Sequence, residues 1–325
     1  MTGGSASRAR VRQPRLPNSR TSALACLAGL LGVALAWALA HPAGPDPAAA
    51  SRVLSDLLGS TFLGVCVLAL LQRDDRRPAV PAVRLWRPLA ITAGAWAVAE
   101  AVLLVAAAAE TVEVAAGRLT PDAFAHFVSE ISVGQLGAAA VVATVGLAVA
   151  AAIAFRRDAQ WPLTPFAAVA ALALLARPVT GHMSAQTLGP ALVAIHVLAA
   201  AAWIGPLLAM SLLLRGRGAW AAILPRYSDL AWKCVVAVTA TGVVDAAVKL
   251  GDVDALVSTG YGRIILAKTI GLLALVALGW WWRTRWVPAA AAHRTPEDVS
   301  LRNASIEVAA LAVVFGLAAA LATTG

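Results

Sequence analysis

The chain reads as an all-α polytopic membrane helix bundle of about nine transmembrane helices, with the N-terminus cytoplasmic and the C-terminus outside. Three observations predict it. Hydrophobic residues make up 60% of the 325 residues and charged residues only 13%, against roughly 25% charged in an ordinary soluble domain. Nine runs approach the about 20 mostly apolar residues that a bilayer span needs. Basic residues gather in alternate connections, as the positive-inside bias requires.

The runs lie near 21–40, 52–71, 88–109, 131–154, 162–181, 189–214, 230–250, 263–284 and 303–323. Residues 1–20 precede them as a basic tail rich in Arg and Pro, too poor in apolar side chains to offset the entropy of ordering, and are expected to be disordered on the cytoplasmic side. This tail, the first run and Ala38-Leu39-Ala40 before His41 together imitate a secretory signal with its cleavage site. Cleavage there would expose His41 as an amino-terminal imidazole. Thr21 to Ala40 is longer than the usual signal core of about 7 to 15 residues, so the first helix is expected to stay uncleaved.

The second run leads into Arg73, Arg76, Arg77, Arg84 and Arg87, and the fourth into Arg156 and Arg157. With Arg215, Arg217, Arg226, Lys233, Arg283, Arg285, Arg294, Arg302 and the arginines of the tail, 20 of the 26 Lys and Arg fall on the side of the N-terminus. The net charge of +9 is therefore a signal of topology. It is not the basic face by which a soluble domain binds nucleic acid, and the bilayer is the expected surrounding.

Between the third and fourth runs Glu110, Glu113, Asp122 and Glu130 stand against a single Arg118, with His126 among them. Such a loop attracts cations, or is simply where acidic residues collect when basic ones are kept inside; both readings stay open. The chain divides into helices one to four over 21–160 and helices five to nine over 161–325. Its polar interruptions are too short to bury a core of their own, so loops or surface helices are expected there.

Ionisable residues inside spans are the functional candidates, because charge is costly in hydrocarbon. Glu100 must meet a partner, water or a proton, and Trp96 one turn before it points to an interior face. Asp245 and Lys249, four apart, share a face and can neutralise each other. Lys268 faces the bundle interior or snorkels to the headgroups. Glu307 is expected to pair with an arginine at the cytoplasmic edge. Cys26, Cys66 and Cys234 fall in three different spans and read as small apolar residues. No Walker loop, dinucleotide fingerprint, H-E-x-x-H or nucleophile elbow occurs in a usable context, so neither an ATP-driven pump nor an enzyme is expected.

Most informative is Thr180-Gly181-His182-Met183, followed by the helix Ala194-Ile195-His196-Val197-Leu198-Ala199-Ala200-Ala201-Ala202-Trp203-Ile204-Gly205. His196 lies about 10 Å along a helix starting at Gly189, and His182 with Met183 lies just before that helix. Imidazole suits copper, zinc, iron and nickel, and thioether selects Cu(I). His182, Met183 and His196 are thus the candidate metal ligands, with His41, Glu100, His126, Asp245 and Lys268 as auxiliary candidates. The alternative is a helix-terminal His182 and a His196 hydrogen-bonded to a neighbouring carbonyl.

The same residues resemble the histidine-bearing helix pair of the copper resistance D (CopD) family. Arg226-Tyr227-Ser228-Asp229-Leu230-Ala231 with Thr239-Ala240-Thr241-Gly242-Val243, and Ser258-Thr259-Gly260-Tyr261-Gly262-Arg263 with Lys268, are similar to its next two helices. Arg302-Asn303-Ala304-Ser305-Ile306-Glu307 is similar to its terminal helix. The resemblance covers about 178–323; the first 160 residues match only in being helical and membrane-spanning. It implies a multi-pass protein of the plasma (inner) membrane that binds or moves copper ion, usually inward, sometimes with an extracytoplasmic CopC-like copper-binding partner.

His182 and His196 fall on matching family positions. Pro206 departs from the pattern, standing where a second small Gly is common, and Met183 is the single methionine on the outer side. No CopC-like domain is expected within the chain. Two other readings of the histidines remain: a membrane b-type cytochrome with haem ligated by His182 or His196, and a copper-insertion factor for a terminal oxidase.

Overall fold

The computed structural model describes residues 19–42, 46, 48–178, 188–249 and 259–321. Ten α-helices account for most of these residues, and no strand occurs among them. They are α1 (Ser19–Ala40), α2 (Ala48–Leu71), α3 (Trp86–Thr111), α4 (Pro121–Glu130), α5 (Ser132–Arg156), α6 (Thr164–Leu175), α7 (Gly189–Leu213), α8 (Arg217–Lys249), α9 (Gly260–Ala291) and α10 (Glu297–Leu321). Membrane helices satisfy their backbone polar groups internally, which is why long apolar segments take this form.

Seven helices, α1, α2, α3, α5, α7, α9 and α10, are long and apolar enough to cross a bilayer. The other two expected spans have different shapes. The fifth is reduced to α6, which is apolar but 12 residues long, about 18 Å at the rise of an α-helix. The seventh belongs to the 33-residue α8, whose first turns carry Arg217, Arg226 and Asp229. The acidic loop contains a short surface helix, α4, capped by the Thr120 hydroxyl accepting from the Ala123 amide at 3.3 Å. Phe127 of α4 is buried in a small cluster with Leu104 and Ala108 of α3.

At the centre stands α2, packed on α7, α3, α6, α10 and α1. Its buried face holds Val53, Leu57, Phe62, Val65, Cys66 and Leu68. Around it, α1 lies on α10, α3 on α5, and α8 on both α7 and α9. Two crossings are close enough to require glycine. A Cβ on Gly64 of α2 would lie 2.5 Å from the Pro206 nitrogen of α7, and one on Gly205 would lie 3.1 Å from the Gly64 Cα. At the α1–α10 crossing a Cβ on Gly316 would lie 2.9 Å from the Gly32 Cα. Small residues permit such backbone approach, and dispersion then replaces the hydrophobic drive that is absent between helices in lipid. Leu27, Ile91, Val98, Val142, Val243 and Leu273 face outward on their helices and are exposed, the pattern of a lipid-facing belt.

Candidate metal site around His196

His196 stands two turns into α7, which begins with Gly189 and Pro190 in the first-turn positions where proline is tolerated. Its ring is half-buried against α8, and its Nδ1 lies 2.8 Å from the Thr241 hydroxyl oxygen. The hydroxyl donates its single hydrogen back along α8, to the Ala237 carbonyl at 2.7 Å. With that hydrogen committed, the hydroxyl oxygen can accept from His196 in the tautomer protonated at Nδ1, and in that tautomer Nε2 carries the lone pair that a metal-binding imidazole presents.

The rest of the surroundings are sparse. A Cβ on Gly242 of α8 would come within 3.7 Å of the His196 Cε1, so glycine leaves the ring room on that side. The charges of Lys268 on α9 and Asp245 on α8 both reach the imidazole. The ammonium of Lys268 disfavours a second cation, whereas the Asp245 carboxylate favours one. Among the described residues, no group of three or more His, Cys, Asp and Glu converges to hold a metal. His182 and Met183, predicted as the companion ligands, lie outside the described residues. They belong to the segment that joins α6 to the start of α7.

The auxiliary candidates separate. His41 is exposed just past α1, and its carbonyl accepts from Arg263 Nη2 at 3.0 Å while Arg263 Nε donates to the Leu39 carbonyl at 2.8 Å. His126 is exposed on α4. Lys249 is in α8, but its side chain lies outside the described ones, so the expected pairing with Asp245 does too.

Glu100 occupies the interior face that Trp96 indicated and is 4% exposed. Arg177, just beyond α6, donates to Glu100 Oε2 from Nη2 at 2.5 Å and from Nε at 2.9 Å, and Nη2 also reaches the Glu100 carbonyl at 3.1 Å. On the other oxygen, Ser55 Oγ donates at 2.5 Å and Trp96 Nε1 at 3.1 Å. Every lone pair of the carboxylate is engaged, so Glu100 ties α2, α3 and α6 together and has no free oxygen for a metal. Next to Ser55, Asp56 is half-buried on α2 and feels the charges of Arg52, Glu100 and Arg177.

Reading the residues in isolation missed three of these groups. Thr241 was visible only as part of a family-like run. Arg177 was one of the few basic residues left over from the cytoplasmic set, and Glu100 was the buried acid needing a cation; pairing them would have followed from that complementarity. Asp56 gave no signal beyond being an acid in an apolar helix. Glu307 of α10 is 6% exposed but forms no ion pair among the described residues, contrary to the expected arginine partner. Arg283, which lines the same cavity, is turned to Ser228 and Asp229.

Comparison with known families covers most of the chain. The copper resistance protein D-like N-terminal domain matches residues 16–190, and copper resistance protein D matches residues 221–321. No curated protein and no solved structure matches. The first match extends the likeness over the N-terminal helices, which by themselves had looked merely helical. With more than half of its length matched by one model and its last three helices by the other, this chain belongs to the copper resistance protein D (CopD) family of membrane proteins.

Proposed function

We propose that the protein takes up copper across the plasma membrane, with His196 as the deeper ligand of an outer-face site that His182 and Met183 complete. In this reading the chain crosses the bilayer nine times, α6 and α8 included, with residues 1–20 inside and the C-terminus outside. The arginine distribution supports that orientation, because it places nearly all loop arginines on one side. Copper is cargo, and no covalent step is involved.

The observation that carries the reading is the His196 imidazole held between α7 and α8. Its Nδ1 is hydrogen-bonded to the Thr241 hydroxyl at 2.8 Å, so the ring is oriented and Nε2 is the nitrogen that would serve as a borderline donor inside an apolar helix pair, where an unused imidazole would only cost desolvation. Upstream, Glu110, Glu113, Asp122 and Glu130 raise the local concentration of cations at the outer mouth. His182 and Met183 take the ion there, and His196 passes it along α7 toward Trp203, which lies seven residues further on. A CopC-like protein is the kind of partner that would deliver it.

Two measurements test this. Copper accumulation by cells expressing His196→Ala should fall to the level of cells lacking the protein, while His126→Ala should leave it unchanged; equal accumulation by His196→Ala and the unaltered protein removes the site. Elemental analysis and an absorption spectrum of the detergent-purified protein identify the ligand. Copper supports the reading, whereas a haem Soret band replaces it with the cytochrome. Normal cell copper with an unloaded oxidase would replace it with metal insertion.

A further inference from the structure

Beside Trp203 the helices α7, α8, α9 and α10 line a small, partly open cavity of about 50 Å³. Most of its wall is aromatic and aliphatic. Three titratable side chains line it: Tyr227 on α8, Arg283 on α9 and Glu307 on α10; the titratable groups of α1 and α2, which also touch α10, do not. Two of the three are committed elsewhere. The Tyr227 hydroxyl donates to the Trp203 carbonyl at 3.1 Å. Arg283 donates to the Ser228 carbonyl and hydroxyl at 3.0 Å each and to Asp229 Oδ1 at 2.9 Å.

Glu307 is left with an indole. The Trp203 indole lies beside it, and Glu307 forms no ion pair among the described residues, because Arg283 of the same cavity is turned to Ser228 and Asp229. Five residues of α10, about 7.5 Å along the helix, separate it from Arg302 at the edge of the span, and at 6% exposure the carboxyl is withdrawn from water just inside that edge. An unpaired carboxylate at that depth is expensive. One hydrogen bond from an indole does not offset the loss of water, whereas Glu100, in the same bundle, has an arginine and two further donors. The contrast separates a carboxyl clamped by an ion pair from one left without a counter-charge among the described residues.

We infer that Glu307 is a proton-exchange site, whose carboxyl binds and releases one proton through the Trp203–Tyr227–Arg283 cavity during transport. Release gives a carboxylate and a proton that leaves by the cavity, and a proton is taken up again from the cavity once passing copper no longer balances the negative charge. Proton and copper cation therefore alternate at one carboxyl, and the bundle never holds an uncompensated charge. The role in transport rests on the copper-uptake reading; the protonation of Glu307 does not.

The test uses the full chain in phosphatidylcholine–phosphatidylglycerol vesicles and reads two signals. Infrared difference spectra taken between acid and alkaline pH should show the carbonyl stretch of a protonated carboxyl in the unaltered protein. The band should be absent in Glu307→Gln and displaced but present in Glu307→Asp. An identical band in Glu307→Gln overturns the site. Copper uptake into the same vesicles should slow several-fold when the interior is made acidic, and this dependence should vanish in Glu307→Gln; a dependence that survives the substitution overturns the coupling. If the unaltered protein takes up no copper while its band still titrates and is lost in Glu307→Gln, the uptake reading falls and the proton site stands.

Discussion

His196, Glu100 and Glu307 are three ionisable side chains in apolar helices, and their neighbours give them three different tasks. Thr241 orients the imidazole of His196 and leaves one nitrogen open. Arg177, Ser55 and Trp96 saturate Glu100. Glu307 is buried beside the Trp203 indole and forms no ion pair among the described residues. The chemistry available at each residue follows from counting donors against lone pairs. For Glu100 the count predicts a structural role. Removing one partner of a buried ion pair strands the other charge at a cost of about 3–5 kcal/mol, whereas replacing both by apolar residues is often neutral. Arg177→Ala should therefore lower the unfolding midpoint in detergent strongly, and Arg177→Met combined with Glu100→Leu should recover most of it. Equal losses in the two would show that the pair contributes more than mutual compensation.

Among the elements, α2 and α8 matter most for how the two family-matched regions meet. Arg226 near the start of α8 donates to Asp75 Oδ2 and Oδ1 at 2.8 Å each and to the Leu71 carbonyl at the end of α2 at 2.7 Å. These hydrogen bonds hold the Asp75 carboxyl below its usual value, with the Arg226 charge adding to the effect. A carboxyl whose value is lowered by folding stabilises the fold above the ordinary carboxylate range and loses that contribution as the pH falls through its folded value. The difference in unfolding midpoint between the unaltered protein and Asp75→Asn should thus be present at neutral pH and close on acidification. A difference that does not change with pH would mean that the clamp adds nothing through charge. At the other crossing of α2, Gly64 meets Gly205 and Pro206 of α7. The proline that departs from the family pattern therefore sits where the backbones touch, at a helix contact rather than in the His196 environment.

At the scale of the whole molecule, topology decides which groups face which compartment. The nine proposed crossings would place Asp122 and His126 of α4 outside, and Arg73, Arg226 and His293 inside. Single cysteines introduced at exposed Asp122 and exposed His293 in a background lacking Cys26, Cys66 and Cys234 test this. A membrane-impermeant maleimide added to intact cells should label the first and spare the second. The reverse pattern would invert the bundle, and labelling of both from outside would reduce the number of crossings by one.

Composition and arginine spacing alone determined that the chain is a helical membrane protein, because apolar length and charge are properties of segments and need no knowledge of neighbours. The likeness of the Thr239–Val243 and Ser258–Arg263 runs to the CopD family was equally legible, and so was the interior position of Glu100, one turn from Trp96. Which acid is paired and which is not was beyond reach: Glu100 meets Arg177 across 77 positions of chain, and Glu307 misses Arg283 because that arginine turns to Asp229. The hydrogen bond between His196 and Thr241 belongs to the same category, since it depends on how α7 meets α8. Burial and hydrogen bonding between distant segments are set by how helices cross, and only the tertiary structure decided those crossings.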